Sequence, residues 1–287
     1  EGFTEIIIST PGPVGLTGLL AAKLLGLPVK GIYHTDFPRY VGVLTEDSAL
    51  ESLAWNYMHW FYTGLDEIVV NSEPYRQAWI ARGASPGKLS ILPRGVDIKL
   101  FDPARRDKEF WKSRGAKSGA FLILYVGRIS KEKDLDVLVE VSQQFGRQHV
   151  QFAFVGDGPY LDELKKLMPN AIFTGYLTGE SLAIAYASAS VFVFPSTTDT
   201  YGNVVVEALA SGLPCLVSNV GGPEALVRHG ATGFVTKALD AKDIVHHLNR
   251  LHEDAELLKT MSRNAANSVT GMDWHAAAKQ FFGTTSC

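Results

Sequence analysis

Two carboxylates and two cations are the residues whose types and spacing could do chemistry. In PSTTDTYGNVVVEALASGLP (195–214), Asp199 sits in a polar turn after the apolar run VFVF. Glu207 follows with seven residues between, one turn inside a helix opened by Gly202-Asn203. The backbone amides of the helix start run through Tyr201, Gly202 and Asn203. Carboxylates on either side of such a start can hold the hydroxyls of a polyol while the amides and helix dipole face an anion. The plainer alternative is a helix cap and a solvated helix acid. In GRISKEK (127–133), Arg128 leaves a strand end and Lys133 precedes the next helix. Arg forks onto two oxygens and Lys neutralises as a point charge, so the pair suits a diphosphate. A solvated basic turn beside Glu132 is the other reading.

His34 closes VKGIYH (29–34) and opens HTDFPRY. Most single histidines are structural or simply exposed, but a strand end facing a cleft favours contact with a ligand. His246 and His247 are adjacent and point apart on a helix, so they cannot share a metal as an i, i+4 pair could. VGDGP (155–159) lacks the third glycine of a dinucleotide fingerprint, and a close-packed turn explains it equally well. Gly221-Gly222 before Pro223 is a helix start that faces a ligand or merely turns the chain. The segment AWNYMHWFY (54–62) is aromatic around most of a helix, which fits core packing or an apolar acceptor surface near lipid headgroups. There is no nucleophile elbow, Walker loop or Cys–His spacing for nucleophilic catalysis.

The elements that must position these residues alternate along the chain. Strands are expected at 6–9, 29–34, 67–72 and 89–93, separated by helices at 14–25, 49–63 and 74–82. A stretch with linker chemistry, PRGVDIKLFDPARRD (93–107), follows, and its Arg105-Arg106 pair beside Lys108 reads as a solvated turn. Strands then recur at 121–127, 150–156, 170–175, 191–196, 215–218 and 233–236, with helices between and three more at the end. Short, continuously apolar strands each followed by a helix predict parallel sheets covered on both faces. The expected fold class is α/β, with two Rossmann-like doubly wound parallel-sheet domains facing a cleft. Domain boundaries are set at 1–104, 105–270 and 271–287, the last a helix packing back toward the first domain. The first domain, with about three βα units, is expected to be incomplete, its opening strands lying before Glu1.

Composition narrows the classes. The 287 residues are 46% apolar and 20% charged, as in soluble globular proteins. A net charge of −3 without a basic helix face gives no reason to expect nucleic acid. Lys23 and Lys30 interrupt the best apolar run, so no bilayer-spanning segment is expected. Cys215 and Cys287 lack metal spacing and read as free thiols of a reducing compartment, placing the protein in the cytoplasm.

In their order, these motifs resemble the retaining glycosyltransferases of family 4, whose GT-B architecture has two Rossmann-like domains. PRGVDIKLFDP is similar to the family's interdomain segment, VGRISKEKDLDVLVE to its V-G-R-x-x-x-E-K stretch, and FVGDGPYLDEL to its G-x-G-P segment. The carboxylate pair resembles the E-x7-E motif and is followed by GGPEALVRHGATGFV. The resemblance implies that Arg128 and Lys133 hold the donor diphosphate and stabilise the departing nucleotide. It implies that Glu207 binds the ribose and that Asp199, where the family commonly has Glu, contacts the transferred sugar. Amides around Tyr201, Gly202 and Asn203 would meet sugar and phosphate, Gly175 and Tyr176 would lie against the base, and His34 would reach the donor sugar. YHTDFPRY and the aromatic segment are similar to lipid-acting mannosyl- and sulfoquinovosyl-transferases, which leaves peripheral membrane contact open.

The implied activity is transfer of a hexose from a nucleoside diphosphate sugar, GDP-mannose or a UDP-hexose, to an acceptor hydroxyl on a sugar or lipid. Retention at the anomeric carbon is implied, with no metal and no cofactor. A chain truly beginning at Glu1 is expected to be inactive. The competing readings are a non-catalytic nucleotide-sugar-binding fragment or degenerate subunit, and a phosphorylase-like enzyme, for which no cofactor lysine or phosphate pocket is identified.

Overall fold

Among the residues described by the computed structural model, 2–145 and 149–282, the strands form two sheets, and every ladder is parallel. This is the α/β class expected, built as two parallel-sheet domains. One unit holds the chain up to Pro93 together with Thr198–Tyr201, and the other holds Arg94–Thr197 and the chain from Gly202 onward. Glu1 and Cys287 lie outside the described residues.

The first unit runs β1 (Ile6–Ile8), α1 (Pro13–Leu25), β2 (Val29–Tyr33), α2 (Phe37–Thr45), α3 (Ser48–Thr63), β3 (Glu67–Val70), α4 (Glu73–Ala81) and β4 (Leu89–Ile91). Its sheet order is β1-β2-β3-β4. Right-handed crossovers between parallel strands taken in sequence order place all the helices on one face. Residues Val29, Gly31 and Tyr33 of β2 point to that face and are buried. A Cβ at Gly31 would come within 2.2 Å of Leu65 Cδ1, so the end of α3 seats directly on β2. Tyr33 is the hub of the core, with ring centroids 5.5 Å from Tyr62 and 5.2 Å from Trp79. On the alternate face, Lys30 reaches Glu5 at 3.2 Å and Glu67 at 3.5 Å. The helix starts follow local chemistry: Pro13 opens α1, Asp36 caps α2, and the Asp47 side chain accepts from the amides of Ala49 and Leu50 at the start of α3.

The second unit continues with α5 (Lys108–Lys112), β5 (Phe121–Val126), α6 (Asp136–Gln144), β6 (Val150–Val155), α7 (Leu161–Leu167), β7 (Ile172–Phe173), α8 (Gly179–Ala187) and β8 (Val191–Phe194). It closes with α9 (Asn203–Ala210), β9 (Cys215–Ser218), β10 (Gly233–Thr236), α10 (Ala241–Glu253), α11 (Ala255–Ser268) and α12 (Trp274–Phe282). The strand order is β10-β9-β8-β5-β6-β7. Strands β5, β8 and β9 are buried at every residue, which is why they read as uninterrupted apolar runs. The chain leaves β5 toward β7, then returns to lay β8 against the other side of β5. The switch in winding direction therefore falls between β5 and β8, where doubly wound sheets open a crevice at their carboxyl ends.

The linker is more ordered than its composition suggests. Val96 and Phe101 are buried, and the Val96 amide donates to the Met272 carbonyl at 2.7 Å. Arg105, expected in a solvated turn, reaches Glu180 at 3.0 Å and the Lys99 carbonyl at 3.2 Å. Non-local partners supply the order that local periodicity could not announce.

Candidate functional site

At the carboxyl end of β5 the chain turns through Gly127, Arg128, Ile129 and Ser130. Gly127 has a φ of 151°, and the Tyr125 hydroxyl donates to the Arg128 carbonyl at 2.9 Å, which fixes this backbone. Arg128 is exposed, whereas Lys133, five residues on, is buried. The turn is knitted to its neighbours by backbone bonds: Gly127 to Val155, Ile129 to Asp157, and Gly156 to Gly175, all between 2.9 and 3.0 Å. A Cβ at Gly156 would fall 2.0 Å from the Gly127 carbonyl oxygen. The VGDGP segment is thus a close-packed turn, the plainer of its two readings. Gly175 follows β7 with a φ of 71°, and Tyr176 beside it is 72% exposed.

Asp134 joins the β5 and β8 ends. Its Oδ2 accepts from both the amide and the hydroxyl of Thr197 at 2.8 Å. Beyond Thr197, helix α9 begins at Gly202, whose φ of 96° suits glycine and whose position leaves the helix start without a side-chain cap. A Cβ at Gly202 would meet Pro223 Cγ at 3.0 Å, so the Gly221-Gly222-Pro223 turn packs against this helix start. Asn203 is exposed at the first helical position. Glu207, half-buried on α9, accepts a hydrogen bond from the Tyr186 hydroxyl at 3.0 Å. Burial pushes its carboxyl above the ordinary value, while the Tyr186 bond works in the opposite direction. Arg128, Lys133, Gly202, Asn203 and Glu207 are thereby brought to the ends of two adjacent strands, at the switch point of the second sheet.

In the first unit His34 follows β2. Its Nδ1 lies 2.9 Å from Thr35 Oγ1. Asp36, buried two residues later, accepts from the Tyr33 hydroxyl at 3.0 Å, the Tyr75 hydroxyl at 2.9 Å and the Arg39 amide at 3.4 Å. Burial first, and then the Asp36 charge, raises both phenols above their ordinary range. Thr198–Tyr201 belongs to this unit, and with it Asp199 and Tyr201. Thr200 holds the segment: its hydroxyl donates to the His34 carbonyl at 2.7 Å and accepts from Asn71 Nδ2 at 2.7 Å. Ser72 Oγ donates to the Thr200 carbonyl at 3.0 Å. Asp199 is half-buried here, close enough to Tyr75 to raise its phenol further.

A cavity of about 300 Å³ opens beside His34. Helices α2 and α3 give it Phe37, Tyr57, Met58 and Tyr62; the turns after β1 and β2 give it Ser9, Thr10, His34 and Thr35. Core packing, the first of the two readings of the aromatic helix α3, holds for part of its circumference. Met58, Phe61 and Tyr62 are core, while Trp60 is 61% exposed. Sequence reasoning missed Asp36, Tyr75, Asn71, Ser72 and Thr200; an aspartate three residues after a strand end and two before Pro38 was the one local signal, since it marks a helix cap. Among the described residues, no three His, Cys, Asp or Glu gather as a metal site. His247 instead stacks on Phe234 at 4.1 Å.

Comparison with known proteins adds the following. Residues 107–268 match the family model described as Glycosyl transferases group 1, and residues 2–100 match Glycosyltransferase Family 4. The chain is 35% identical to sulfoquinovosyl transferase SQD2 of Arabidopsis thaliana, an alignment taking in 94% of this chain and 54% of that protein. It is 31% identical to a GDP-mannose-dependent alpha-mannosyltransferase of Mycobacterium tuberculosis, over 99% of this chain and 73% of the relative. The chain therefore spans about half the length of the first relative and three-quarters of the second. In fold it is similar to Anabaena HepE in complex with UDP and glucose, with a TM-score of 0.79 at 22% identity, covering 98% of this chain and 77% of that one.

Proposed function

The chain belongs to the glycosyl transferases group 1, with a family 4 region ahead of the group 1 region, and from that premise we propose that it moves a hexose from a nucleoside diphosphate sugar to an acceptor hydroxyl. The observation that carries this reading is the switch point of the second sheet. There Arg128 and the buried Lys133 follow one strand, and an uncapped helix start and Glu207 follow the strand beside it. Cations and helix-start amides fixed in advance stabilise charge as it develops, without reorganising at the moment of reaction.

In the reaction, the bond from the anomeric carbon to the diphosphate oxygen breaks and its electron pair leaves with the nucleotide. The acceptor oxygen forms the new bond, and its proton passes to the departing diphosphate. Arg128, Lys133 and the amides at Gly202 and Asn203 take up the charge on that diphosphate. Glu207 holds the ribose hydroxyls, and Gly175 and Tyr176 lie against the base. Asp199, Tyr201 and His34 contact the transferred sugar. We assign retention at the anomeric carbon, because an acceptor that gives its proton to the departing diphosphate attacks from the face that the diphosphate leaves, and no metal requirement, because charge stabilisation is supplied by protein cations and amides. GDP-mannose and UDP-hexoses are the donors to test first, from the relatives' names. Sugar and lipid hydroxyls are the acceptor classes. No helix of the described residues is long and apolar enough to cross a membrane, so a lipid acceptor would be met by peripheral contact.

Thermal-shift measurement with UDP, GDP, ADP and their sugars tests the donor, because a ligand that binds only the folded state raises apparent stability. One nucleotide series is expected to raise the Tm. Absence of a shift with every nucleotide would overturn the reading.

A further inference from the structure

Glu207 is held by a side chain that has no other polar partner. Tyr186, in the last turn of α8, is fully buried and donates its hydroxyl to Glu207 Oε2 at 3.0 Å, its one hydrogen bond among the described residues. The ring is fixed on two sides. Phe101 of the linker meets it edge-on at a centroid distance of 5.8 Å, and Phe192 of β8 is tilted against it at 5.7 Å. The backbone beside it is tied as well, because Trp111 Nε1 donates to the Ala185 carbonyl at 3.1 Å. Burial first, and then the Glu207 charge, hold the phenol well above its ordinary range, so it stays protonated and serves the carboxylate as a donor.

A glutamate carboxylate swings on two methylenes until one of its oxygens is engaged. With Oε2 taken by Tyr186, Oε1 has no hydrogen-bond partner among the described residues and is the oxygen left for a ligand. The same bond bears on charge: burial raises the Glu207 carboxyl, and the Tyr186 hydroxyl opposes that rise. No other titratable group among the described residues of α8, α11, β9 or the turn at 223–226, all packed against α9, shifts it. One buried hydroxyl thus both aims the carboxylate and favours its ionised form.

We propose that Tyr186 is a positioning residue for the donor: its hydroxyl fixes Glu207 so that Oε1 is presented to the ribose hydroxyls of the nucleotide. The proposal rests on the hexosyl-transfer reading, in which Glu207 holds the ribose, and adds the residue that holds Glu207.

Tyr186→Phe removes one oxygen and keeps the ring. Calorimetry of the full chain with UDP and with GDP should show affinity for the bound nucleotide falling by about tenfold. The loss should widen as pH falls from 8 toward 5, because without the opposing hydroxyl Glu207 takes up its proton at a higher pH. The nucleotide's own ionisation is common to parent and variant and drops out of their ratio. In a Glu207→Gln background, adding Tyr186→Phe should cost less than twofold, since the two residues act as one unit. Phe101→Leu loosens the same ring but keeps the hydroxyl, so it should lower the Tm and leave the pH profile of binding in place. An equal loss with and without the Glu207 charge, or a Tyr186→Phe pH profile that overlays the parent's, would overturn the proposal.

The hold on Glu207 is also read without nucleotide, by NMR titration of the full chain carrying carboxyl-labelled glutamate, with Glu207→Gln identifying the signal. The Glu207 titration should move to higher pH in Tyr186→Phe. A moved titration with nucleotide affinity unchanged upholds the hold on the carboxylate and sinks the ribose assignment. An unmoved titration overturns the hold, and any loss of affinity then belongs to packing.

Discussion

Thirteen of the nineteen large hydrophobic side chains left exposed among the described residues belong to the first unit, although the second is about twice as long. The second unit buries both faces of its sheet and gathers fixed charge and backbone amides at one switch point. The first unit keeps apolar stripes on α1, α2 and α3 and an apolar cavity beside its one strand-end histidine. Two parallel sheets of similar make thus carry different chemistry at their carboxyl ends. Under the proposed function, the second holds the departing diphosphate and the first faces the transferred sugar and its acceptor. If that division holds, variants of the two units should separate in their kinetics.

The largest effect is expected at Lys133. Lys133→Met keeps most of the buried stem and removes the charge, so turnover should fall by about 10²- to 10³-fold, the scale of losing one fixed stabilising donor. Steady-state kinetics and a melting curve on the same preparation decide it. A large fall in Tm with proportionate loss of activity would make Lys133 a structural cation, and the division would lose its charged half.

Glu207 and His34 sharpen the comparison from opposite sides. Glu207→Gln should weaken nucleotide binding by roughly tenfold or more, since a charge-assisted bond to the ribose is lost. His34→Ala should leave nucleotide affinity unchanged and lower kcat. Calorimetry with the nucleoside diphosphate reads both; unchanged affinity in Glu207→Gln removes the ribose assignment.

Thr200 is a positioning residue of the first unit. Its hydroxyl joins the His34 carbonyl to Asn71 while its neighbour is Asp199. Thr200→Val keeps the shape and loses both bonds, and kcat should fall by about tenfold with donor KM little changed. Thr200→Ser should restore it. Equal losses in both variants would assign the effect to packing instead.

How much of this the sequence disclosed depends on how local each cause is. FLILYV and VFVF announced buried parallel strands because burial on both faces removes alternation. Gly202 and Glu207 could be placed because a helix start and its first turns are local. Asp36 could not, because its second phenol, Tyr75, is 39 residues away. Nor could Thr200's partners, at 129 and 166 residues' separation. The cavity stayed hidden for the same reason: Pro11 and Tyr57 meet through a bond spanning 46 residues. The order within the linker at 93–107 was not legible because Val96 and Phe101 find their cover only in the folded unit.

The smallest effect concerns stability of the second unit alone, at a histidine with no place in the chemistry. His247 is 7% exposed, stacked on Phe234 and 3.5 Å from Asp243. Burial lowers its pKa from the ordinary 6.5; Asp243 pulls upward, while His246, His229 and Arg250 push down. A base whose folded pKa is depressed contributes stability above its unfolded value, and that contribution is lost as pH falls through 6.5 toward the folded value. Glu207 acts with the opposite sign. Its pKa is raised, so its contribution is full below the ordinary 4.5 and is lost as pH rises through the folded value. His247→Phe preserves the stack and removes the titration while leaving Glu207 in place, so the difference between the two proteins isolates His247. Between pH 7 and pH 5.5 the parent should lose about one to three degrees of Tm more than the variant. Parallel melting curves across that range would instead mean that the imidazole gains as much from Asp243 as it loses to burial.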